Sequence, residues 1–413
     1  MERNIKIFPV YKLFSYDTLF YYAISILFLT GIKHFNLSQV ALVSCIYSLA
    51  SIIGQIPASI IANKIGLRNM MILGNILCLM WGIIYIITPN FTMILVAESF
   101  SGIGFAFKGV SESPFLYSSL KKLGRISEFS KIESKGSTLY FLFEAIACIV
   151  AGYLYILNPY LPIIFSSSCS LISIILAFYT KPIKNAKPEG ITFKERYEEL
   201  KFGFKFIFKS KRLHALLIFS ALFYGILSLG YLYIKTYLNF INVPSKMFGY
   251  VFAIASVAAA VGSAIQDKIE KKHRNKTLTT ISIMYVASFI LIGIAALIFT
   301  DYTILLIFGI GIYSIQCIIK GAERIIVKEY ISRYTTTAIR TRLMSIYYLS
   351  EQFGSTVLLF IASKIIELTS IGIVYSLSGL TLAIILILVL NYMDSRVGLN
   401  PDSYTKRDRL DIE

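Results

Sequence analysis

The sequence predicts an all-α membrane protein with twelve transmembrane helices in two pseudo-symmetric six-helix bundles. Three observations support this fold class: the composition, the succession of long apolar segments, and the distribution of Lys and Arg between them. Of the 413 residues, 56% are hydrophobic and 15% are charged, whereas a soluble domain carries about 25% charged residues. The chain is therefore too apolar to fold as a series of soluble domains.

Twelve segments are long enough to cross a bilayer, which requires about 20 mainly apolar residues. Lys/Arg clusters, Pro and Asn mark the breaks between them. They divide the chain into a first bundle (1–180), a cytoplasmic linker (181–212), a second bundle (213–392) and a cytoplasmic tail (393–413). The predicted spans are 12–32, 38–62, 69–88, 91–118, 137–157, 161–180, 213–237, 247–267, 277–299, 302–327, 343–366 and 371–392.

The positive residues predict the orientation of these spans. If both termini are cytoplasmic, the inner segments hold 33 of the 40 Lys and Arg residues, and the outer segments hold only Lys33, Lys235, Lys246 and Lys364. This imbalance is typical of the positive-inside rule. We therefore expect a multi-pass protein of the cytoplasmic (cell) membrane, embedded in the lipid bilayer, with both termini inside.

The same distribution argues against other protein classes. The formal net charge of +17 is confined to short segments between apolar ones, so it predicts topology rather than a nucleic-acid partner. The five cysteines lie in apolar segments without a C-x-x-C pair, so we expect neither a disulfide framework nor a metal site. The sequence has no G-x-x-x-x-G-K-[ST] motif, and its three histidines are far apart. We therefore expect no ATP coupling, no cofactor and no enzymatic activity.

The linker has two parts of different character. Its first part, KPIKNAKPEG, has the Pro and charged residues of a flexible connection. In its second part, Lys201, Lys205 and Lys209 recur at every fourth position, while aromatic and aliphatic residues cluster on another face. This pattern predicts an amphipathic helix on the inner leaflet. A solvated charged linker is the alternative.

The two halves contain similar motifs in the same order, at intervals of a little over 200 residues. Such repeats build a transport cavity at the interface of two halves. The matched pairs are Ser59-x-x-x-Asn63-Lys64-Ile65-Gly66 with Ser263-x-x-x-Asp267-Lys268-Ile269-Glu270, Gly102-Ile103-Gly104 with Gly309-Ile310-Gly311, Lys108-Gly109 with Lys320-Gly321, and Leu142-Phe143-Glu144 with Leu349-Ser350-Glu351.

These motifs resemble those of the major facilitator superfamily, and the resemblance covers essentially the whole chain. The family's loop G-x-x-x-D-[RK]-x-G-[RK]-[RK], between spans two and three, is matched by residues 59–68, with Ser59, Asn63 and Leu67 as departures. The resemblance implies that this loop latches helices in one of two alternating states, and that Asn63, which lacks a carboxylate, weakens the latch. The implied latch residues are Asn63, Lys64, Gly66, Arg68, Asp267 and Lys268.

Two other family patterns are altered. The span-four pattern R-x-x-x-G-x-G begins with Glu98 in place of the Arg that many proton-coupled members use. Span five lacks the Gly-Pro pair that is typical of drug antiporters. The resemblance therefore supports membership of the superfamily and does not support the antiporter label.

Charged residues within the spans are the candidates for function, because each costs roughly 3 kcal/mol at the bilayer centre. We predict two pairs, Lys108 with Glu144 and Lys320 with Glu351, with Asp17 as a rival partner for either lysine. The alternative is that such pairs only hold helices together. The candidate residues for proton coupling or the substrate cavity are Asp17, Glu98, Lys108, Glu112, Glu144, Lys320, Glu323 and Glu351, with Arg324 beside them.

Glu98 is the most specific of these candidates. It lies about 10 Å from the outer surface, with no cation at its depth in the same helix. A carboxyl group in a low-dielectric, partly wet cavity can bind and release a proton near neutral pH. We predict that Glu98 carries the coupling proton or meets a cationic substrate. The alternative is a protonated hydrogen-bond donor that faces a neighbouring helix.

Together these features predict a secondary transporter with two partners, a small-molecule substrate and the proton, acting as a monomer. Export of a small amphipathic compound is the first interpretation, because aromatic residues in spans one and seven suit such a solute. Gradient-coupled uptake or exchange of a sugar, peptide, lipid or other metabolite is the second. A membrane sensor built on the same fold is the interpretation from another class.

Overall fold

The computed structural model of the protein describes residues 1–15, 18–183, 211–273, 276–333 and 337–397. All regular secondary structure within these ranges is helical. The helices are α1 (Glu2–Ser15), α2 (Leu19–Leu27), a π-helix (Phe28–Ile32), α3 (Leu37–Ile65), α4 (Leu67–Ile87), α5 (Phe91–Lys121), a 3₁₀-helix (Ile126–Glu128), α6 (Phe129–Leu157), α7 (Leu161–Tyr179), α8 (Lys211–Phe240), α9 (Ser245–His273), α10 (Thr277–Ile298), α11 (Tyr302–Arg333), α12 (Thr337–Ile365) and α13 (Ile371–Val397).

Every predicted span coincides with a helix or a helical stretch. In the described part of the chain, eleven stretches are long and apolar enough to cross a membrane. The one predicted span that is not among these eleven, 343–366, coincides with α12, so the structure is consistent with twelve spans. Several helices extend beyond the predicted ends; α9 and α11 continue to His273 and Arg333. Hydropathy detects the part of a helix that fits the bilayer, whereas backbone hydrogen bonding continues into the charged segments beyond it.

The first span is not one uniform helix. α1 begins at Glu2, ten residues before the predicted start at 12, and is described as far as Ser15. Thr18 then has non-helical backbone angles (φ −82°, ψ 61°) and precedes α2. The backbone N–H of Tyr21, in the first turn of α2, donates to the hydroxyl of Ser166 on α7. The same N–H also donates to the Thr18 carbonyl oxygen over 3.0 Å, so it is shared between the first turn of α2 and α7.

The chain forms two compact units, Met1–Arg196 with Pro244–Ala253, and Tyr197–Val243 with Ile254–Glu413. In the first unit α5 packs against α3 and α4, α4 against α7, and α1 and α2 against α6 and α7. In the second unit α10 packs against α11 and α13, and α8 against α12 and α13. Most pairings of the first unit thus recur in the second, which extends the sequence repeat to the packing of helices.

One matched motif pair is not equivalent in its packing. A Cβ atom on Gly102 would meet the backbone of α3 at Tyr47, and one on Gly104 would meet Gly74 of α4. A Cβ atom on Gly309 would instead meet the ring of Tyr237, and one on Gly311 would have no neighbour within 4 Å in the described part of the chain. The two Gly-Ile-Gly sequences therefore contact different elements, since similar letters do not ensure the same helical register.

The crossing of α4 and α5 depends on small residues. A Cβ atom on Gly104 would lie 2.7 Å from the carbonyl oxygen of Gly74, and one on Gly74 would lie 2.8 Å from that of Gly104. Small residues at such crossings allow membrane helices to approach closely. This contact holds the two helices that carry the first site described below.

We expect Gly104→Ala to destabilise the protein by about 1–3 kcal/mol, because the added methyl group overpacks a backbone contact. Gly109→Ala is the matched control in the same helix, since no atom of the described residues lies within 4 Å of its added Cβ atom. Thermal unfolding of the two purified variants in detergent measures the difference. Equal unfolding temperatures for both variants would contradict the close crossing.

Candidate functional site

Glu98 lies inside the first unit with two hydrogen-bond donors from α4. Its side chain is buried, with 8% exposed. The indole Nε1–H of Trp81 donates to its Oε1 over 3.1 Å, and the Tyr85 hydroxyl donates to the same oxygen. Both of these donors are neutral, so they solvate a carboxylate without cancelling its charge.

Aromatic rings surround this carboxyl group. The Tyr21 ring on α2 lies 5.1 Å from the Trp81 ring and 5.4 Å from the Tyr85 ring, between centroids. Phe28, the first residue of the π-helix, stacks on Tyr85 at 6.3 Å. Single π-helical turns occur frequently at functional sites. We call these five residues, Glu98, Trp81, Tyr85, Tyr21 and Phe28, the Glu98 cage.

A lysine caps the end of the helix that supplies the donors. Lys33 Nζ donates over 2.6 Å to the carbonyl oxygen of Thr88, where α4 ends. The ammonium group also lies 5.3 Å from the centroid of the Phe28 ring and 5.4 Å from that of Tyr160. Burial lowers the pKa of Lys33 below its ordinary value. The C-terminal end of α4 is thus fixed next to the Glu98 cage.

A second polar cluster lies further along α5, around Ser15 at the end of α1. Lys108 Nζ donates over 2.5 Å to the carbonyl oxygen of Ser15, and Ser15 Oγ donates over 2.6 Å to Oε1 of Glu112. Lys108 is buried, with 4% exposed, and its ammonium lies 3.7 Å from the centroid of the Phe105 ring. Two charged residues one helical turn apart therefore hold one serine, through its carbonyl and its hydroxyl.

Two further side chains complete this cluster. The Tyr11 hydroxyl donates to Glu112 Oε1 over 2.9 Å and lies 3.0 Å from Ser15 Oγ. Asn75 of α4 donates to the Tyr11 hydroxyl over 2.8 Å. We call Lys108, Glu112, Ser15, Tyr11 and Asn75 the Ser15 clamp.

The predicted pairing of Lys108 with Glu144 is absent from the part of the chain that the structure describes. Lys108 binds the Ser15 carbonyl, while Glu144 is buried and accepts a hydrogen bond from Tyr140 over 2.5 Å. The physical reason is packing. The Lys108 stem passes Gly74 of α4 and reaches the Ser15 carbonyl, whereas Glu144 accepts from a tyrosine one turn before it in its own helix.

The second predicted pair is not formed either among the described residues. Lys320 is exposed, whereas Glu351 is buried, with 6% of its surface exposed. Glu351 has a tyrosine, Tyr347, one turn before it in α12, as Glu144 has Tyr140 in α6. The repeated feature is therefore a Tyr-x-x-x-Glu pattern rather than a Lys–Glu pair. Glu323 of α11 is buried in the second unit, with 2% exposed.

The latch loop is described in part. Gly66 has a φ of +86° and ends α3, with its N–H donating to the Ala62 carbonyl over 2.8 Å. Arg68 donates to the carbonyl oxygens of Ala177 and Phe178 over 3.1 and 2.8 Å, at the end of α7. A cation at a helix C-terminus is favourable. Arg68 thus joins the loop to α7 within the first unit.

The structure describes the remaining predicted site residues in less detail. Lys64 and Lys268 are exposed. Asp17 lies outside the described residues, as do the side chains of Asn63 and Asp267. The roles of these residues stay predictions.

One buried ion pair was not predicted from the sequence. Lys12 of α1 pairs with Glu133 of α6, and Ser113 of α5 donates to the same carboxylate over 3.1 Å. Neither Lys12 nor Glu133 is among the site residues predicted from the sequence. No signal in the sequence identifies the pair, because it depends on which faces of α1 and α6 meet.

A more exposed cluster ties the start of α1 to the loop after α5. Arg125 pairs with Glu2 over 2.7 Å and with Glu128 over 2.6 Å. Hydrogen bonding from Arg125 holds the pKa of Glu128 below its ordinary value. Both contacts are largely solvated, so they orient the loop more than they stabilise the fold.

Comparison with known protein families decides the identity. The sequence pattern of the family described as "Major Facilitator Superfamily" matches residues 13–322 of the chain. The chain belongs to the major facilitator superfamily. Members of this superfamily are multi-pass membrane transporters of the secondary type rather than enzymes, and the helices of this chain have the fold that the sequence predicted.

Individual members of the superfamily resemble the chain to different extents. An uncharacterized MFS-type transporter, YxaM, of Bacillus subtilis (strain 168) is 23% identical over 251 residues, which are 58% of this chain and 60% of that protein. The match thus spans less than two thirds of that relative.

Solved structures of the superfamily cover nearly the whole chain. A point mutant of the nucleoside transporter NupG has a TM-score of 0.75 at 13% identity, covering 94% of this chain and 98% of that one. A D-xylose–proton symporter has a TM-score of 0.71 at 12% identity, covering 96% and 99%. A peptide transporter, POT, has 0.69 at 12%, covering 96% and 95%. At such identities these likenesses show the fold alone.

Proposed function

We propose that this facilitator couples the export of a small amphipathic compound to the proton gradient by alternating access, with Glu98 as the proton-binding carboxyl. We place it in the cytoplasmic membrane as a monomer with both termini in the cytoplasm. The observation that carries the proposal is the Glu98 cage, in which a buried carboxyl accepts hydrogen bonds from Trp81 and Tyr85.

Proton binding at Glu98 has a direct structural consequence. The ionised carboxylate is an acceptor only, and it holds two donors of α4. Protonation turns one of its oxygens into a donor and weakens the hold on Trp81 and Tyr85, because hydrogen bonds to an ionised acceptor are about twice as strong as neutral ones. The contact between α4 and α5 thus changes when the proton binds, which links proton binding to helix packing.

The surroundings of Glu98 also support an amphipathic solute. Aromatic faces beside an acid favour compounds that combine a ring or alkyl surface with a polar or cationic group. A solute of this kind reaches the protein from the membrane or the cytoplasm, which suits export. The proposal is limited to this chemical class.

Reconstitution in liposomes tests the proposal. The purified protein is supplied with a library of amphipathic compounds, with and without a pH gradient, and proton flux is followed with an entrapped dye. Solute accumulation on the acidic side supports proton-coupled export. Movement of solute in the same direction as protons replaces export with uptake. Transport without any proton flux contradicts the role of Glu98, and no transport under any gradient favours a sensor.

A further inference from the structure

The end of α7 carries two adjacent aromatic side chains that are exposed. The stretch of this helix that is apolar and long enough to cross a membrane is Leu161–Tyr179, so Phe178 and Tyr179 are its last two residues. Each of them is 58% exposed. Tyrosine is enriched at the interfaces between membrane and water. We therefore expect the end of α7 to lie where the hydrocarbon meets the lipid headgroups.

An arginine lies against each of these rings. The guanidinium group of Arg3, in α1, lies 5.3 Å from the centroid of the Tyr179 ring. That of Arg68, in the first turn of α4, lies 5.7 Å from the centroid of the Phe178 ring. Cations are attracted to the faces of aromatic rings at such distances. Two helices thus each supply a positive charge to the last turn of α7.

The start of α1 is held beside α7 by the buried side chain of Asn4. Its Nδ2 donates to the Ser119 hydroxyl over 3.1 Å and to the Lys181 carbonyl over 3.0 Å. Its Oδ1 accepts from the backbone N–H of Lys181 over 2.7 Å. Arg3 precedes this anchored residue, and the exposed Lys181 adds a third cation.

Neither arginine is neutralised by a carboxylate of the described residues. The ion pairs among these residues include neither Arg3 nor Arg68, and Glu2, next to Arg3, pairs with Arg125. Arg68 donates to α7 through Nε and Nη2, while its Nη1 and the guanidinium of Arg3 donate to no described residue. Guanidinium groups bind phosphate oxygens through parallel N–H donors. The donors at the end of α7 therefore suit a phosphate group.

An apolar stripe leads from the two rings along α7. Its members are spaced by seven, four and three residues, which places them on one face of the helix. Their exposed fractions lie between 41% and 58%, for Ile164, Leu171, Ile175 and Phe178. A ligand that fits both the stripe and the cations carries a hydrocarbon chain and a phosphate.

We propose that the end of α7 binds an anionic phospholipid, with Arg3 and Arg68 as ligands of the headgroup and the apolar stripe as the contact for an acyl chain. Basic sites between helices at the membrane surface bind anionic headgroups. A zwitterionic lipid such as phosphatidylcholine carries a cation of its own, which the arginines repel. The inference uses neither Glu98 nor the proton gradient, and it holds for either orientation of the chain in the membrane.

Lipid binding to the purified full-length protein tests the inference. Phosphatidylglycerol and phosphatidylcholine with the same acyl chains are titrated in detergent, and bound lipid is counted by native mass spectrometry. We expect phosphatidylglycerol to bind more tightly. Arg3→Gln and Arg68→Gln should each weaken its binding about fivefold, the equivalent of about 1 kcal/mol for one cation near an anionic surface. The double variant should bind both lipids equally.

Matched variants separate this site from general attraction to a basic protein. Lys121→Gln/Lys131→Gln removes two exposed cations elsewhere in the same unit, and it should keep the preference for phosphatidylglycerol. Arg3→Lys keeps the charge but loses the planar donors, so its affinity should lie between those of the wild type and Arg3→Gln. Glycerol 3-phosphate without acyl chains should not displace the bound lipid.

Three results would overturn the inference. Equal binding of the two lipids by the wild type would show that the cations do not select the headgroup. Equal losses in the lysine and arginine double variants would reduce the effect to net charge. Displacement by glycerol 3-phosphate at the concentration of the lipid would indicate a site for free anions. If Arg68→Gln is not recovered as folded protein, the Arg3 variants decide alone, because the Arg3 guanidinium donates to no described residue.

Discussion

Glu98→Gln is expected to abolish solute accumulation driven by a pH gradient. The substitution removes the only proton that the carboxyl can exchange, while the Gln Oε1 still accepts hydrogen bonds from Trp81 and Tyr85. In the wild type, a gradient of one pH unit sustains at most about tenfold accumulation for one-to-one exchange. The variant should show none, although it should still exchange solute between the two sides when no gradient is applied.

Two comparisons make this result specific to Glu98. Glu367→Gln is the same chemical change at an exposed position in the turn after α12, and it should leave accumulation unchanged. Tyr85→Phe and Trp81→Phe each remove one donor but keep the carboxyl, so coupling should persist with an altered pH dependence. Full accumulation in Glu98→Gln would contradict the proposed function.

Lys12→Ala is expected to cause the largest loss of stability. It leaves the Glu133 carboxylate in a mostly buried place, with side-chain exposures in the pair of 7% and 24%. The second oxygen, Oε2, already has no hydrogen-bond partner within the described residues. Breaking a buried ion pair lowers the free energy of unfolding by roughly 3–5 kcal/mol. Because Glu133 is partly exposed, we expect a loss near the lower end of this range.

A double-mutant cycle measures this pair directly. Glu133→Gln and Lys12→Ala/Glu133→Gln complete the cycle, with unfolding followed in detergent. We expect the double variant to recover at least half of the loss, because it leaves no uncompensated charge. Additive losses would show that Lys12 stabilises the fold through packing alone.

The spans and their family were predictable because both depend on local sequence. Hydropathy determines which segments can lie in a bilayer. The Lys/Arg distribution favours one assignment of successive loops to alternate sides of the membrane. The predicted helix ends were less accurate where a helix continues through charged residues, as it does up to His273 and Arg333. The non-helical backbone at Thr18 has no Gly or Pro beside it that would have indicated it.

The sequence identified residues of the candidate site but not the contacts between them. Glu98 was identified because an acid at that depth is costly, and Lys108 and Glu112 for the same reason. Trp81 and Tyr85 are one turn apart in span three, which is a usable signal for a shared face. Nothing in a single sequence shows that this face meets Glu98. Partner choice depends on the rotation of each helix, which is set by contacts such as that of Gly74 with Gly104.

The indole Nε1–H resonance of Trp81 tests the account most directly, because Trp81 is the protein's only tryptophan. In ¹⁵N-indole-labelled protein this single resonance reports the hydrogen bond to Glu98, and it can be followed from about pH 5 to about pH 9. We predict that it shifts in one titration in the wild type, and that the shift is absent in Glu98→Gln. A resonance that does not move in the wild type, or that moves equally in Glu98→Gln, would show that Glu98 does not bind the proton.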